Sequence, residues 1–282
     1  VKALSQLFWS SRPISWINTA FPFGATYLFI NKEFDLTFWI GTIFFLIPYN
    51  LLMYGINDVF DYESDLRNPR KGGIEGALLN KKYHKLTIWS AVISCIPFLV
   101  YLYAVSDLVS SLWLTLFIFT VVAYSAPKLR FKERGFIDSF TSASHFVGPM
   151  IYAMSLTGLD MAQPQVLSII AAFTLWGVAS HAFGAVQDVR ADREAGISSI
   201  ATIIGARATV WFAFGSYTLA GVLVLNTSWP GPLAAIGALP YLLILSPYLK
   251  ITDATCEKAN KAWRQFIWLN FFAGALVSMI LL

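Results

Sequence analysis

Nine apolar runs separated by polar connections dominate the chain, at about residues 13 to 31, 37 to 56, 86 to 105, 108 to 125, 136 to 157, 165 to 187, 208 to 226, 231 to 249 and 265 to 282. Each is near the roughly 20 residues that a helix needs to cross a bilayer. Nothing alternates with period two over barrel-length segments, and an open sheet edge has no place in hydrocarbon. The pattern therefore predicts an all-α membrane protein, a bundle of nine transmembrane helices. The longest connection runs from Asn57 to Lys85, and no low-complexity tract marks a boundary, so one domain over residues 1–282 is expected. The first run is not followed by a clear cleavage site and is expected to be a helix of the bundle, not a removable signal.

Composition agrees with this. Hydrophobic residues make up 57% of the chain and charged residues 13%, with a mean hydropathy of +0.61, beyond what a soluble domain tolerates. Charge then orients the bundle. With the N-terminus placed in the cytoplasm, 19 of the 20 lysines and arginines fall on that side, and only Lys32 falls opposite. Such an asymmetry predicts a multi-pass protein of the cell membrane with its N-terminus cytoplasmic and its C-terminus outside. The net charge of +4 follows from topology and from attraction to anionic membrane lipid, so no nucleic-acid partner is implied. Cys95 and Cys256 show no metal-ligand spacing and read as free thiols.

The charges left at the ends of the apolar runs carry the chemistry. Asp58, Asp61, Glu63 and Asp65 stand at the end of the second run. On a continuous helix Asp58, Asp61 and Asp65 fall at i, i+3 and i+7, so their carboxylates would project from one face within roughly 60°. Three anions on one face call for a divalent cation, and hard oxygen ligands suit magnesium, which shares its shell with substrate phosphates. Asp188 and Asp192, at i and i+4, close another apolar run. With an even number of crossings between them, both clusters are predicted on the cytoplasmic face, as a magnesium diphosphate site. The stretch after the first cluster, with Arg67, Arg70 and Lys71 among glycines, has two readings: a positive-inside loop, or a lid whose cations meet a diphosphate.

These residues resemble the motifs of the UbiA-type intramembrane prenyltransferases. The pattern N-D-x-x-D-x-x-x-D is met by Asn57, Asp58, Asp61 and Asp65, and D-x-x-x-D by Asp188 and Asp192, followed by Gly196, Ser199 and Gly205. A Y-x-x-x-K element is matched by Tyr124 and Lys128. The arginine-bearing stretch departs from the quinone-pathway pattern, being shorter. Further text is similar to the bacterial lycopene elongases of C50 carotenoid synthesis: Arg12 to Trp16 with Asn18, Met53 to Ile56, Tyr124 to Arg134, and Ile251 to Ala254.

The resemblance implies transfer of a C5 group from dimethylallyl diphosphate to the ends of lycopene. Two magnesium ions would bridge the diphosphate, one on Asp58, Asp61 and Asp65 and one on Asp188 and Asp192. Lys128 with Arg67 or Arg70 would cover its remaining oxygens, guanidinium being suited to bidentate phosphate contact. Arg12 and Asn18 join the substrate-binding set. Asn57 would ligate metal or orient Asp61, and the Tyr124 ring would bond phosphate or face the allyl cation. The cation left on the acceptor must lose a proton or take up water. His181, two helical turns before Asp188, is one candidate base; His145 is another, whereas His84 reads as a solvated loop residue. An aromatic quinone precursor such as 4-hydroxybenzoate is the alternative acceptor. A transporter fits poorly, because no run carries an acid near its midplane, and a CDP-alcohol phosphotransferase fits poorly because the D-G-x-x-A-R run is absent.

Overall fold

The computed structural model describes residues 2–66 and 79–281, so Arg67 and Arg70 lie outside the described residues. Those described form α-helices and short 3-10 turns, with no strand among them. Helical structure lies over each of the nine apolar runs. Among the described residues, five stretches are long and apolar enough to cross a membrane: Leu36–Phe60, Lys81–Val105, Leu108–Ser125, Pro164–Val186 and Gly231–Tyr248. The other runs are shorter or more polar; the helix over the first has 16 residues, and the helix over the fifth carries Asp138, Ser139 and His145.

Two compact units emerge, residues 1–130 with 148–159 and residues 131–147 with 160–282. The first contains α1 (Lys2–Ser10), α2 (Trp16–Asn31), α3 (Leu36–Leu46), α4 (Pro48–Phe60), α5 (Tyr62–Asp65), α6 (His84–Val105), α7 (Leu108–Ser125) and the C-terminal part of α8 (Ile137–Leu156). Asp35 and Asp107 start α3 and α7 by accepting the Phe38 and Ser110 N–H groups at 2.7 and 2.8 Å, the usual service of an N-cap aspartate. The core is aromatic: Phe23, Phe44, Phe45 and Tyr49 are fully or almost fully buried, and the Phe45 ring lies 5.1 Å from both Phe23 and Tyr49.

The second apolar run is not one straight helix. It breaks at Ile47, because Pro48 has no N–H to donate and its ring opposes the preceding turn. In a bilayer the freed carbonyls need partners. Asn50 Nδ2 donates to the Phe45 and Leu46 oxygens at 2.9 and 3.0 Å, and Thr19 Oγ1 donates to Phe45 at 2.7 Å. A second break interrupts the continuous helix on which three aspartates were expected to share a face. α4 ends at Phe60, Asp61 leaves the helical region at φ −99° and ψ 2°, and Asp65 belongs to the separate α5. Only Asp58 and Asp61 keep the spacing of one helical turn.

The second unit contains the N-terminal part of α8 with α9 (Pro164–Val186), α10 (Val189–Ala195), α11 (Ile200–Ile204), α12 (Ala206–Val224), α13 (Ala238–Leu245) and α14 (Asn260–Leu281). α9 and α12 pack through small side chains, with Ala179, Ala182, Ala206 and Ala213 fully buried beside Phe183 and Tyr217. Small residues let two backbones approach where lipid offers no hydrophobic drive between helices. Ser180 and Tyr217 hydroxyls meet across this contact at 2.9 Å.

Candidate active site

Asp58 is 1% exposed, and its two oxygens are both taken. Arg12 Nη2 lies 3.0 Å from Oδ1, and Ser10 Oγ donates to Oδ2 at 2.8 Å. α1 and the turn after it thus reach back to the end of α4. Arg12 does so from a left-handed backbone, φ 50° and ψ 73°, with its guanidinium 4.3 Å from the Tyr54 ring centroid. Asp61 is met in the same way: Arg130 Nη2 is 3.5 Å from its Oδ1, while Asn57 Nδ2 donates to its Oδ2 at 2.7 Å and to Ser125 Oγ at 2.9 Å. Asn57 and Asp61 are thus joined by a hydrogen bond.

Arg130 comes from the turn that follows α7. There Lys128 and Arg130 both take positive φ, 74° and 38°, and the Leu129 and Arg130 N–H groups fold back onto the Ala126 oxygen at 3.3 and 3.0 Å. Tyr124 is half-buried at the end of α7, and Lys128 is exposed. Asn18 is half-buried in α2. The side chain of Asp65 lies outside the description. Among the described residues no three or more His, Cys, Asp or Glu side chains gather as a metal cluster. The donor set nonetheless fits magnesium: two buried carboxylates and an amide are hard oxygen ligands, and two guanidiniums drawn to them mark a place that needs positive charge.

The second cluster is built by caps. Asp188 follows α9 and starts α10, and the Asp192 N–H returns to the Asp188 carbonyl at 2.8 Å, so the i, i+4 spacing holds. Both aspartates are half-buried. Just ahead of them Gln187 is fixed by Asn260, whose Nδ2 donates to Gln187 Oε1 at 2.6 Å. Behind them α10 stops at Gly196, which takes φ 71°, a conformation glycine adopts at little cost. Ser199 caps α11 reciprocally with Thr202. Gly205 turns into α12 at φ 83°. The residues that continue the second motif thus shape the chain around its aspartates.

Asp253 braces the same region. Its Oδ1 accepts the Ala206 N–H at 2.7 Å, capping α12, and its Oδ2 accepts from Arg193 Nη1 at 2.6 Å. Arg193 also donates to the Thr202 carbonyl. The Ala206 N–H and the Arg193 guanidinium hold the Asp253 carboxyl below its ordinary range.

Some residues were not singled out from sequence. Ser10, Arg130 and Ser125 touch the first cluster, and Arg130 had a signal, standing two residues after Lys128 in a stretch already marked. His84 is half-buried, its Nε2 3.2 Å from the Leu79 carbonyl, and so is not the solvated residue expected. His145 is buried in α8. Cys95 and Cys256 are buried free thiols.

Residues 19–270 match the UbiA prenyltransferase family. A protein of Corynebacterium glutamicum named lycopene elongase/hydratase is 54% identical over 273 residues, covering 97% of this chain and 95% of that one. The C(50) beta-cyclic carotenoids biosynthesis protein LbtBC of Dietzia is 53% identical over 280 residues, 99% of this chain and 65% of that protein. Among solved structures, a UbiA homologue from Archaeoglobus fulgidus bound to DMAPP and Mg2+ superposes with a TM-score of 0.69 over 96% of this chain and 99% of that one, at 18% identity.

Proposed function

Because the chain belongs to the UbiA prenyltransferase family, and is a multi-pass membrane prenyltransferase, we propose that it transfers dimethylallyl groups to the ends of lycopene in C50 carotenoid synthesis. The observation that carries this is the 54% identity to the Corynebacterium lycopene elongase/hydratase over 97% of the chain. The donor follows from carbon count, since two C5 units turn a C40 polyene into a C50 product.

In this reading Asp58, Asp61 and Asp65 would hold one magnesium ion and Asp188 with Asp192 a second, on the cytoplasmic side. A magnesium ion held by these residues would supply positive charge to the diphosphate leaving group. Arg12, Lys128 and Arg130 present fixed positive charge to the leaving group, worth most where water is scarce. Arg67 and Arg70 serve the same end from the segment outside the described residues. Asn57 keeps Asp61 in place, Asn18 lines the substrate side, and the Tyr124 ring faces the allyl cation. Lycopene is insoluble in water, so it enters laterally from the lipid. The test uses membranes containing the protein, magnesium and labelled dimethylallyl diphosphate. Label is expected in a C45 or C50 carotenoid when lycopene is supplied; label in 4-hydroxybenzoate, with lycopene untouched, overturns the acceptor.

A further inference from the structure

The second unit carries a group of cations that stands apart from both aspartate motifs. A groove of about 730 Å³ is lined by two segments, the turn that follows α13 and the start of α14 with the 3-10 turn Asp253–Ala259 before it. Lys258, Lys261 and Arg264 all line it. All three are exposed, and none of them is in an ion pair among the described residues. Lys258 stands in the 3-10 turn, where residues three apart eclipse, and Lys261 and Arg264 follow at the same interval. Like charges so spaced repel each other. The one acid that lines the groove, Glu257, faces Arg190 of α10 at 3.5 Å. The groove is therefore positive and lacks an anion of its own.

Its place along the helices says which anion it suits. Tyr248, on one wall, ends the apolar stretch Gly231–Tyr248, which is long enough to cross a membrane. On α14, Trp268 follows Arg264 by four residues and so shares its face. Its indole is 64% exposed, and exposed tryptophans are enriched at the level of lipid headgroups. Arg264 stands one turn, about 5.4 Å, nearer the start of the helix. Leu239 and Leu243 of α13 and Phe271 and Phe272 of α14 are exposed as well. The same two helices thus offer cations at one end and bare apolar side chains further along.

We propose that this groove is a headgroup site for an anionic phospholipid. The phosphate diester accepts from the Arg264 guanidinium, whose planar fork suits two oxygens, and from the Lys258 and Lys261 ammonium groups, while the acyl chains lie on the apolar side chains of α13 and α14. A soluble phosphate would use the cations and leave that apolar surface unused. The proposal is independent of which acceptor the enzyme prenylates.

The test uses the full chain, purified and delipidated in detergent, with binding of phosphatidylglycerol and of phosphatidylcholine titrated by native mass spectrometry. Three proteins are compared: the wild type, Lys258→Gln/Lys261→Gln/Arg264→Gln, and Lys2→Gln/Lys82→Gln/Lys85→Gln, which removes as much charge from exposed positions elsewhere. A basic residue beside an anionic lipid surface contributes about fivefold, so the wild type is expected to bind one phosphatidylglycerol at least about tenfold tighter than phosphatidylcholine. The groove variant should lose that preference, and the control should stay within about threefold of the wild type. Equal losses in the two variants overturn the proposal, since charge in general would then recruit the lipid. A wild type indifferent to the two lipids overturns it too. Inorganic phosphate is the soluble arm: if it abolishes the preference where sodium chloride of equal ionic strength does not, the groove takes free phosphate and the lipid assignment fails. Should the groove variant not fold, a photoreactive phosphatidylglycerol on the wild type decides. Crosslinks within residues 247–268 sustain the site, and crosslinks confined elsewhere overturn it.

Discussion

Removing the head group of Arg12 should destabilise the metal-free protein far more than the magnesium-bound one. The Asp58 carboxylate is 1% exposed and the Arg12 side chain 17%, so the pair is nearly closed to water. Deleting one member of a buried pair costs about 3–5 kcal/mol, because the remaining charge is stranded. Ser10 still donates to Asp58 in the variant, which argues for the lower end, about 3 kcal/mol. Arg12 also sits at φ 50°, a left-handed conformation that costs roughly 1–2 kcal/mol for a residue with a Cβ. Gln keeps that cost, so Arg12→Gln isolates the guanidinium. If Asp58 is a metal ligand, saturating magnesium supplies the missing charge and most of the loss disappears. For a protein near this size about 1 kcal/mol shifts the midpoint by roughly 2–4 °C. Thermal unfolding in detergent should therefore drop by roughly 6–12 °C in chelator and by less than half of that in magnesium. An equal drop under both conditions would refute the reasoning, since it would mean that magnesium and Arg12 do not share Asp58.

Asp58→Asn, Asp61→Asn, Asp188→Asn and Asp192→Asn should each lower turnover by orders of magnitude while the protein still inserts, each losing an anionic oxygen ligand at constant size; near-normal rates for two of them at limiting magnesium would sink the two-cluster site. Lys128→Ala should weaken the apparent affinity for dimethylallyl diphosphate more than Lys258→Ala, and equal affinities would return Lys128 to a topological role. Asp253→Ala should cost about 1 kcal/mol, the usual loss of a helix cap. Because the folded Asp253 carboxyl is held low, its contribution is complete above the unfolded value of about 3.9 and is lost as pH falls through the folded value. The gap between wild type and variant in unfolding midpoint should therefore close on acidification below about pH 4, and a constant gap would count against the brace.

What sequence revealed and what it concealed divide along a physical line. Apolar runs are legible because insertion into lipid depends on composition over about 20 residues, and α7 occupies the residues expected, 108 to 125. The breaks at Ile47 and Asp61 escaped because a hydropathy pattern carries no backbone direction, although Pro48 stood at the first in plain view. Contacts between distant residues were hidden more deeply: Arg12 and Asp58 are 46 residues apart, and no periodicity brings them together. The motif likeness held a different kind of information. Gly196 and Gly205 take positive φ and Ser199 caps a helix, so these positions favour their residue types for conformational reasons near the aspartates, with no need for any of the three to touch a ligand. Asp253 extends the point. Its carboxylate reads on the page as one more acid on the cytoplasmic side, but its two oxygens tie α10 to the start of α12. A candidate ligand set drawn from acidic residues alone would therefore have to discard Asp253, and only its bonds to Arg193 and Ala206 give the reason.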